Sequence, residues 1–268
     1  MRIVDFHTHL DDYWIVGQPT PPESEFIGVL DRFDVEAVCV FTLRGFHEDC
    51  RQQNDALAAR ARRHRGRLIP FATVDPKRGD EAVVELERCL SDPVFRGVKF
   101  HPWLQAFAPS LVQGTMIDLL RCAARHRVPV LFHDGTPPYA TSLQVAAVAR
   151  WVPEATVVLG HAGLADYVVA AGQLIRDIPN LYGCICGPRA GEVPYLVQTA
   201  GADKLVFGSD FGFGDWTVFH EFLDNVLESG LSQQSIEQVL YTNAARLLRL
   251  DECPLTDRVD GSRGRARQ

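Results

Sequence analysis

Residues 129–161 read PVLFHDGTPPYATSLQVAAVARWVPEATVVLGH. Two short apolar runs, PVLFH at 129–133 and ATVVLGH at 155–161, flank Ser142–Trp151, whose Leu, Val and Ala recur at helical spacing. Both runs are continuously apolar, as expected of strands buried on both faces. A strand, a crossover helix and a second like strand make the βαβ unit of a parallel sheet. The pattern repeats outward in both directions. Upstream, strands are predicted at 3–7, 36–42, 68–74 and 96–101, and downstream at 180–186 and 204–210. Helical spacing is also found at Asp55–Arg65, Asp80–Leu90 and Met116–His126. Eight β-then-α units without a break in composition predict one closed domain. The expected fold class is α/β, a single (β/α)8 TIM barrel, regular or distorted, over residues 1–256. An open doubly wound sheet is disfavoured, because no G-x-G-x-x-G follows the first strand.

Composition narrows the function. The chain has 268 residues, 46% hydrophobic and 23% charged, with a formal net charge of −7. That is a globular composition, and it lacks the basic excess that grips phosphate backbones, so no nucleic-acid partner is expected. No apolar run approaches the roughly 20 residues that span a bilayer, so no membrane partner is expected either. The opening MRIVDFH brings charge and histidine where an export signal would be apolar. The seven cysteines are odd in number and lack a framework spacing. Both features predict a cytoplasmic protein with reduced thiols. The expected partner is a small-molecule substrate, acted on by a monomer or a homo-oligomer. Residues 10–25, Pro-rich and carrying Tyr13 and Trp14, read either as a flap over a pocket or as a plain surface excursion. Residues 257–268 read as a disordered tail.

In such a barrel the C-terminal strand ends build the active site. Here ionisable side chains gather there. Strand 1 ends His7-Thr8-His9, strand 4 ends Lys99-Phe100-His101, and strands 5, 6 and 8 end at His133, His161 and Asp210. Residues i and i+2 share a face, so the paired side chains of strands 1 and 4 each point one way. A lone strand-end histidine is more often structural, and Asp210 alone could cap a helix. The convergence of four histidines and an acid on one rim points instead to a divalent metal, since imidazole and carboxylate are the donors that zinc and similar ions take. Such a metal lowers the pKa of water towards about 7. Lys99 faces the same centre. It reads as an ion-pair partner, for example of Asp5, which by parity faces the same way, or as a carboxylated bridging ligand, or as a neutral amine. Cys184 and Cys186 share a face of strand 7 and read as small barrel-filling residues. Arg44 and His47 follow strand 2 and Arg189 follows strand 7. A rim arginine suits a substrate carboxylate, and Arg189 is the first choice because Gly187-Pro188 sets a turn before it. Trp103, Phe107, Tyr139, Phe211, Phe213 and Trp216, in loops past strands 4, 5 and 8, suggest an aromatic wall. The Gly-x-Gly at 212–214 lacks the rest of a P-loop.

These residues resemble the amidohydrolase superfamily, in particular short members of its amidohydrolase-2 subgroup without an N-terminal β-sandwich. The resemblance runs from strand 1 to about Leu250. It rests on D-F-H-T-H (5–9), the stretch 54–76, G-V-K-F-H-P (97–102), L-G-H-A-G (159–163), F-G-S-D (207–210) and T-N-A-A-R-L-L (242–248). It implies a catalytic divalent metal, usually zinc, one or two per chain. The implied ligands are His7, His9, His133, His161 and Asp210, with Asp210 also the proton acceptor. His161 either ligates or contacts substrate and water. Lys99 matches a strand-4 lysine that is carboxylated and bridging in binuclear members. His101 departs from the dihydroorotase pattern and reads as a ligand, a proton shuttle or a substrate contact, with Arg189, Arg44 and Trp103 as further substrate contacts. The resemblance implies a hydrolase of a C–N or C–O bond (a cyclic amide, lactone or ester), with Asp210 and His161 as catalytic residues. The alternative is a non-oxidative decarboxylase of a small, aromatic or other, carboxylic acid. A non-catalytic metal-binding barrel is the third reading.

Overall fold

A computed structural model describes residues 1–11, 20–212 and 216–252. Tyr13, Trp14, Phe213 and the expected tail at 257–268 lie outside the described residues. Eight strands form one sheet in sequence order: β1 (Val4–His9), β2 (Ala37–Phe41), β3 (Leu68–Ala72), β4 (Gly97–Phe100), β5 (Val130–Phe132), β6 (Val157–Leu159), β7 (Leu181–Ile185) and β8 (Leu205–Phe207). Each consecutive pair is parallel. The sheet closes just past β8, where Thr8 bridges Phe211 in parallel, His9 N donates to Phe211 O at 2.7 Å and Asp210 N donates to His7 O at 2.8 Å. This is a (β/α)8 barrel.

One helix follows each strand: α1 (Glu23–Arg32), α2 (Cys50–Arg63), α3 (Asp80–Leu90), α4 (Gln113–His126), α5 (Ser142–Trp151), α6 (Leu164–Asp177), α7 (Val193–Ala200) and α8 (Thr217–Leu227). The helices α3 and α5 occupy the stretches their spacing predicts. The helix α2 starts earlier than expected because Asp49 caps it, its carboxylate accepting from Arg51 N and Gln52 N. The α5 start is a capping box of Thr141 and Gln144. Several strands stop short of the predicted ends, since the residues that follow leave the ladder to form the rim.

Two apolar cores result. The larger lies between sheet and helices and includes Leu30, Leu86, Leu120, Val145 and Phe219. The smaller fills the barrel with Val4, Phe6, Cys39, Phe41, Phe71, Leu131, Val158, Cys184 and Val206. It continues into Tyr241, Ala244, Ala245, Leu248 and Leu250, on the C-terminal segment comprising a π-helical turn (Gln238–Thr242), α10 (Asn243–Leu247, preceded by the short α9, Gln233–Glu237) and the residues just after it. That segment packs against β1 and β8 and plugs the barrel. Burying each Leu or Phe contributes about 1.5–3 kcal/mol.

One register detail decides the site. In β1, Asp5 pairs with Val38 and Thr8 pairs with Val40, so β1 carries one extra residue between them. This β-bulge lets Phe6 and His7 both enter the barrel and puts Asp5 out of phase with His7. Simple alternation had set Asp5 facing Lys99. Instead its carboxylate accepts from His7 N at 2.9 Å, from Ser209 N at 3.1 Å and from Ser209 Oγ at 2.5 Å. Burial raises its pKa to about 7 against those hydrogen bonds.

Candidate metal centre

The strand ends deliver a contiguous cluster in which His7, His9, Lys99, His101 and His161 are buried and His133 and Asp210 are partly exposed. His7 and His9 leave β1 inward, and Lys99 pairs with the interior Leu131 and so also faces inward. The Asp210 carboxylate Oδ1 lies 3.0 Å from His9 Nε2 and 3.3 Å from His7 Nε2. Lys99 Nζ stands 3.1 Å from His7 Nε2 and 4.5 Å above the centre of the Phe41 ring. His161 Nε2 is 2.9 Å from His133 Nδ1, and the rings of His7 and His161 are 4.7 Å apart. His101 stacks on His133 at 3.8 Å and 14°.

Backbone carbonyls set the orientation of two of these rings. His7 Nδ1 donates to Gly160 O at 2.9 Å and His161 Nδ1 donates to Cys186 O at 2.7 Å. A ring whose Nδ1 carries the proton presents its Nε2 lone pair to the centre, which is how metal-binding histidines are prepared. His133 Nε2 is buried and has no hydrogen-bond partner among the described residues. An acceptor in that state inside a protein is costly unless a ligand completes it. His7, His9 and Asp210 bring three ligand atoms within 4.8 Å of one another. Neutral imidazoles, one carboxylate and an orphaned ring nitrogen fit a divalent cation.

The electrostatics agree for four of the rings; at His161 burial works to lower the pKa, but Cys186 and Asp210 outweigh it and raise it to about 9. Burial drives His7 well below its usual pKa, with the Lys99 charge adding to the effect, and burial likewise lowers His9, His101 and His133. These rings are neutral, as ligands must be. Burial works to raise the Asp210 carboxyl, but the hydrogen bond from His9 and the charges of His161 and Lys99 outweigh it and keep it ionised. Burial lowers Lys99 to about 8, with Asp210 opposing.

Close backbone approach explains the glycines of the rim motifs. A Cβ on Gly212, whose φ is +131, would sit 2.0 Å from His9 O, and one on Gly160 would sit 2.5 Å from Phe132 O. Asp210 itself has φ +56, a conformation that costs a non-glycine residue about 1–3 kcal/mol and tends to mark functional positions.

Several residues with no assigned role hold the cluster. Asp134, fully buried, accepts from His161 N at 2.7 Å, Gly163 N at 2.8 Å and Ser142 Oγ at 2.9 Å, tying the β5 end to the loop after β6 and the start of α5. Three consecutive residues in that loop, Ala162, Gly163 and Leu164, have positive φ. Gln105 Oε1 accepts from His101 N at 2.8 Å. Asp11 accepts from Thr42 Oγ1 and Leu43 N, both at 2.6 Å, tying the end of β1 to the loop after β2. The adjacency of Asp134 to His133, followed by Gly135, was the only sequence signal for it.

Cys184 and Cys186 both belong to the interior core, as barrel-filling residues would. Cys186 does more than fill space: its Sγ lies 3.2 Å from Nδ1 of both His7 and His161 and donates to Gly160 O at 3.0 Å. Burial keeps it a thiol, pushing its pKa well up.

The proposed substrate contacts divide. His101 is in the cluster, with Phe46 edge-on at 5.4 Å, and the half-exposed Trp103 lies 6.1 Å from it. Arg44 forks onto Glu48 and borders a cavity of about 130 Å³ beside Asp11, Thr42 and Gln53; none of the clustered imidazoles lines it. Arg189 is an exposed side chain beside Glu192. The aromatic wall is smaller than expected. Phe107 and Phe211 are in the outer core, Phe211 stacking on Phe26 at 5.0 Å, and Trp216 packs there under Arg32. Of the described members, Trp103 and Tyr139 stay exposed.

The fold and rim define a (β/α)8 barrel with a histidine–lysine–carboxylate cluster at the C-terminal strand ends. The amidohydrolase family model matches residues 4–250, and the chain belongs to that family. No curated protein matches the chain. Among solved structures it is similar to 2,6-dihydroxybenzoate decarboxylase from Rhizobium, at 17% identity over 94% of this chain and 100% of that one, TM-score 0.72. It is also similar to a dihydroxybenzoic acid decarboxylase from Polaromonas sp. JS666, solved with manganese and the inhibitor 2-nitroresorcinol, at 16% identity over 93% and 97%, TM-score 0.70. A third is 5-carboxyvanillate decarboxylase from Sphingomonas paucimobilis, at 12% identity over 92% and 99%, TM-score 0.72. At these identities the likeness is one of fold. Among the described residues no helix is long and apolar enough to cross a membrane.

Proposed function

We propose that the chain is a metal-dependent hydrolase of a small molecule, cleaving a C–N or C–O bond of a cyclic amide, lactone or ester. The observation that carries this reading is Lys99, whose Nζ sits inside the ligand cluster 3.1 Å from His7 Nε2. The ammonium first loses a proton; reaction of the resulting amine with CO2 then forms an N–C bond and releases a second proton, turning a buried cation into an anionic group that could serve two ions. His7, His9 and Asp210 would then hold one ion and His133 and His161 the other; zinc is the proposed metal. A divalent ion supplies Lewis acidity here, polarising a carbonyl and making water acidic enough to attack near neutral pH.

The remaining work belongs to the chain. Asp210 accepts the proton of the attacking water and returns it to the leaving nitrogen or oxygen. His161, held through Nδ1 by Cys186 O, keeps Nε2 turned to the cluster. With a single ion bound, that nitrogen in its protonated form donates to the oxygen on which negative charge develops. His101 and Trp103 border the substrate beside His133.

The test is metal content per chain, on protein purified without chelator and with bicarbonate present. Loss of one ion per chain in Lys99→Met supports the bridge. A metal content unchanged by that substitution sinks it.

A second reading, non-oxidative decarboxylation of a small aromatic carboxylic acid, is favoured by the three decarboxylases whose fold the chain shares. Release of CO2 without incorporation of labelled oxygen from water would select it.

A further inference from the structure

A second group of potential metal ligands lies far from the barrel rim in the sequence of elements, on the outer helical layer. It is formed by α3 and α4, which pack against each other. Cys122 and His126 are one turn apart on α4, so they share a face, and that i, i+4 spacing lets two side chains of one helix chelate one ion. Glu87 comes from the last turn of α3. Its Oε1 lies 2.8 Å from His126 Nε2 and its Oε2 accepts from Cys122 Sγ at 3.3 Å. The three ligand atoms lie within 4.8 Å of one another.

We propose that Glu87, Cys122 and His126 form a binding site for a zinc-like divalent cation that clamps α3 to α4. Thiol and imidazole select a borderline-soft ion such as zinc over magnesium or calcium. The site lies at the C-terminal ends of both helices, where the unpaired carbonyls favour positive charge. Cys122 is buried beneath it, while Glu87 and His126 are partly exposed and leave a path for the ion. Arg125, which reaches Glu87 Oε2 at 3.0 Å, is a long, mostly exposed side chain that can turn to solvent. Binding deprotonates the thiol, so one proton leaves from sulfur as the ion arrives, and water completes the coordination.

Metal-free full-length chain titrated with cobalt(II) tests the site. The expected result is a thiolate-to-cobalt charge-transfer absorption whose final amplitude corresponds to one thiolate-bound cobalt per chain and which persists in Cys186→Ser. It should disappear in Cys122→Ser and in His126→Gln, with metal content falling by one per chain. His126, partly exposed, makes the second variant informative even where the first fails to fold. Absence of a thiolate band, or a band unchanged in both variants, overturns the proposal and leaves Glu87 as a hydrogen-bond partner of Cys122, Arg125 and His126. Turnover by the barrel rim should be unchanged in His126→Gln, so failure here is distinguishable from failure of the hydrolase reading.

Discussion

The two ends of the barrel interior are filled on opposite principles. At one end Tyr241, Ala244, Ala245, Leu248 and Leu250 close the barrel with apolar side chains, continuous with Val4, Phe6, Ile69 and Val206. At the other, His7, His9, Lys99, His133, His161 and Asp210 fill a comparable position with groups that burial disfavours. The first end gains stability from every contact. The second places a cation away from water beside a partly exposed carboxylate, with a non-glycine residue in a strained conformation, and is stable because the first end and the outer core offset it. Such a division between a stabilising face and a reactive face is general in this fold.

The contrast can be broken by exchanging the roles of the ends. Asp210→Asn should lower turnover by about 10²–10⁴-fold, or roughly 3–5 kcal/mol of barrier, with little change in thermal midpoint. A large midpoint loss with turnover retained would reverse the assignment. Leu248→Ala at the plugged end should cost about 2–5 kcal/mol in chemical denaturation and leave metal affinity unaltered. Gly212→Ala should cost about 1–3 kcal/mol and also weaken metal binding, because its Cβ meets the backbone of His9. Wild-type metal affinity in that variant would show that the rim does not depend on this close approach.

Lys99→Met sharpens the comparison with a change of sign. It should abolish any second metal yet leave the metal-free chain as stable or about 1 kcal/mol more stable at neutral pH, since an apolar side chain replaces a buried cation. Its pH dependence is specific. Folding lowers the Lys99 pKa from 10.5 to about 8, so between those values the unfolded chain binds more protons. The metal-free protein should therefore gain stability as pH rises from about 8 towards 10.5, and Lys99→Met should lose that slope in denaturation curves measured across the window.

The barrel was legible because its signal is repeated: eight apolar runs separated by helical spacing leave few alternatives. The cluster was legible because histidines and Asp210 end those runs. The failures came where one residue changes the geometry. Strict alternation placed Asp5 opposite Lys99, and the bulge in β1 moved it to Ser209. No composition rule marks a bulge, because the extra residue is ordinary. Asp134 was missed because its partners are backbone amides brought near by the fold. Phe211 and Trp216 were read as pocket residues because a loop position does not reveal which way a ring turns, and both turn to the outer core.

The seam between β1 and the segment just past β8 carries a consequence for how the chain is made. Asp210 N bonds His7 O and His9 N bonds Phe211 O, joining residues of the first strand to residues made some two hundred later. Contacts so remote in sequence close late, after shorter-range units have formed. On the ribosome, a nascent chain therefore carries the two imidazoles of β1 without their carboxylate partner until the segment past β8 has been made. The full cluster assembles only when the ring closes, so under the proposed function metal binding would report that the whole barrel has been made and folded.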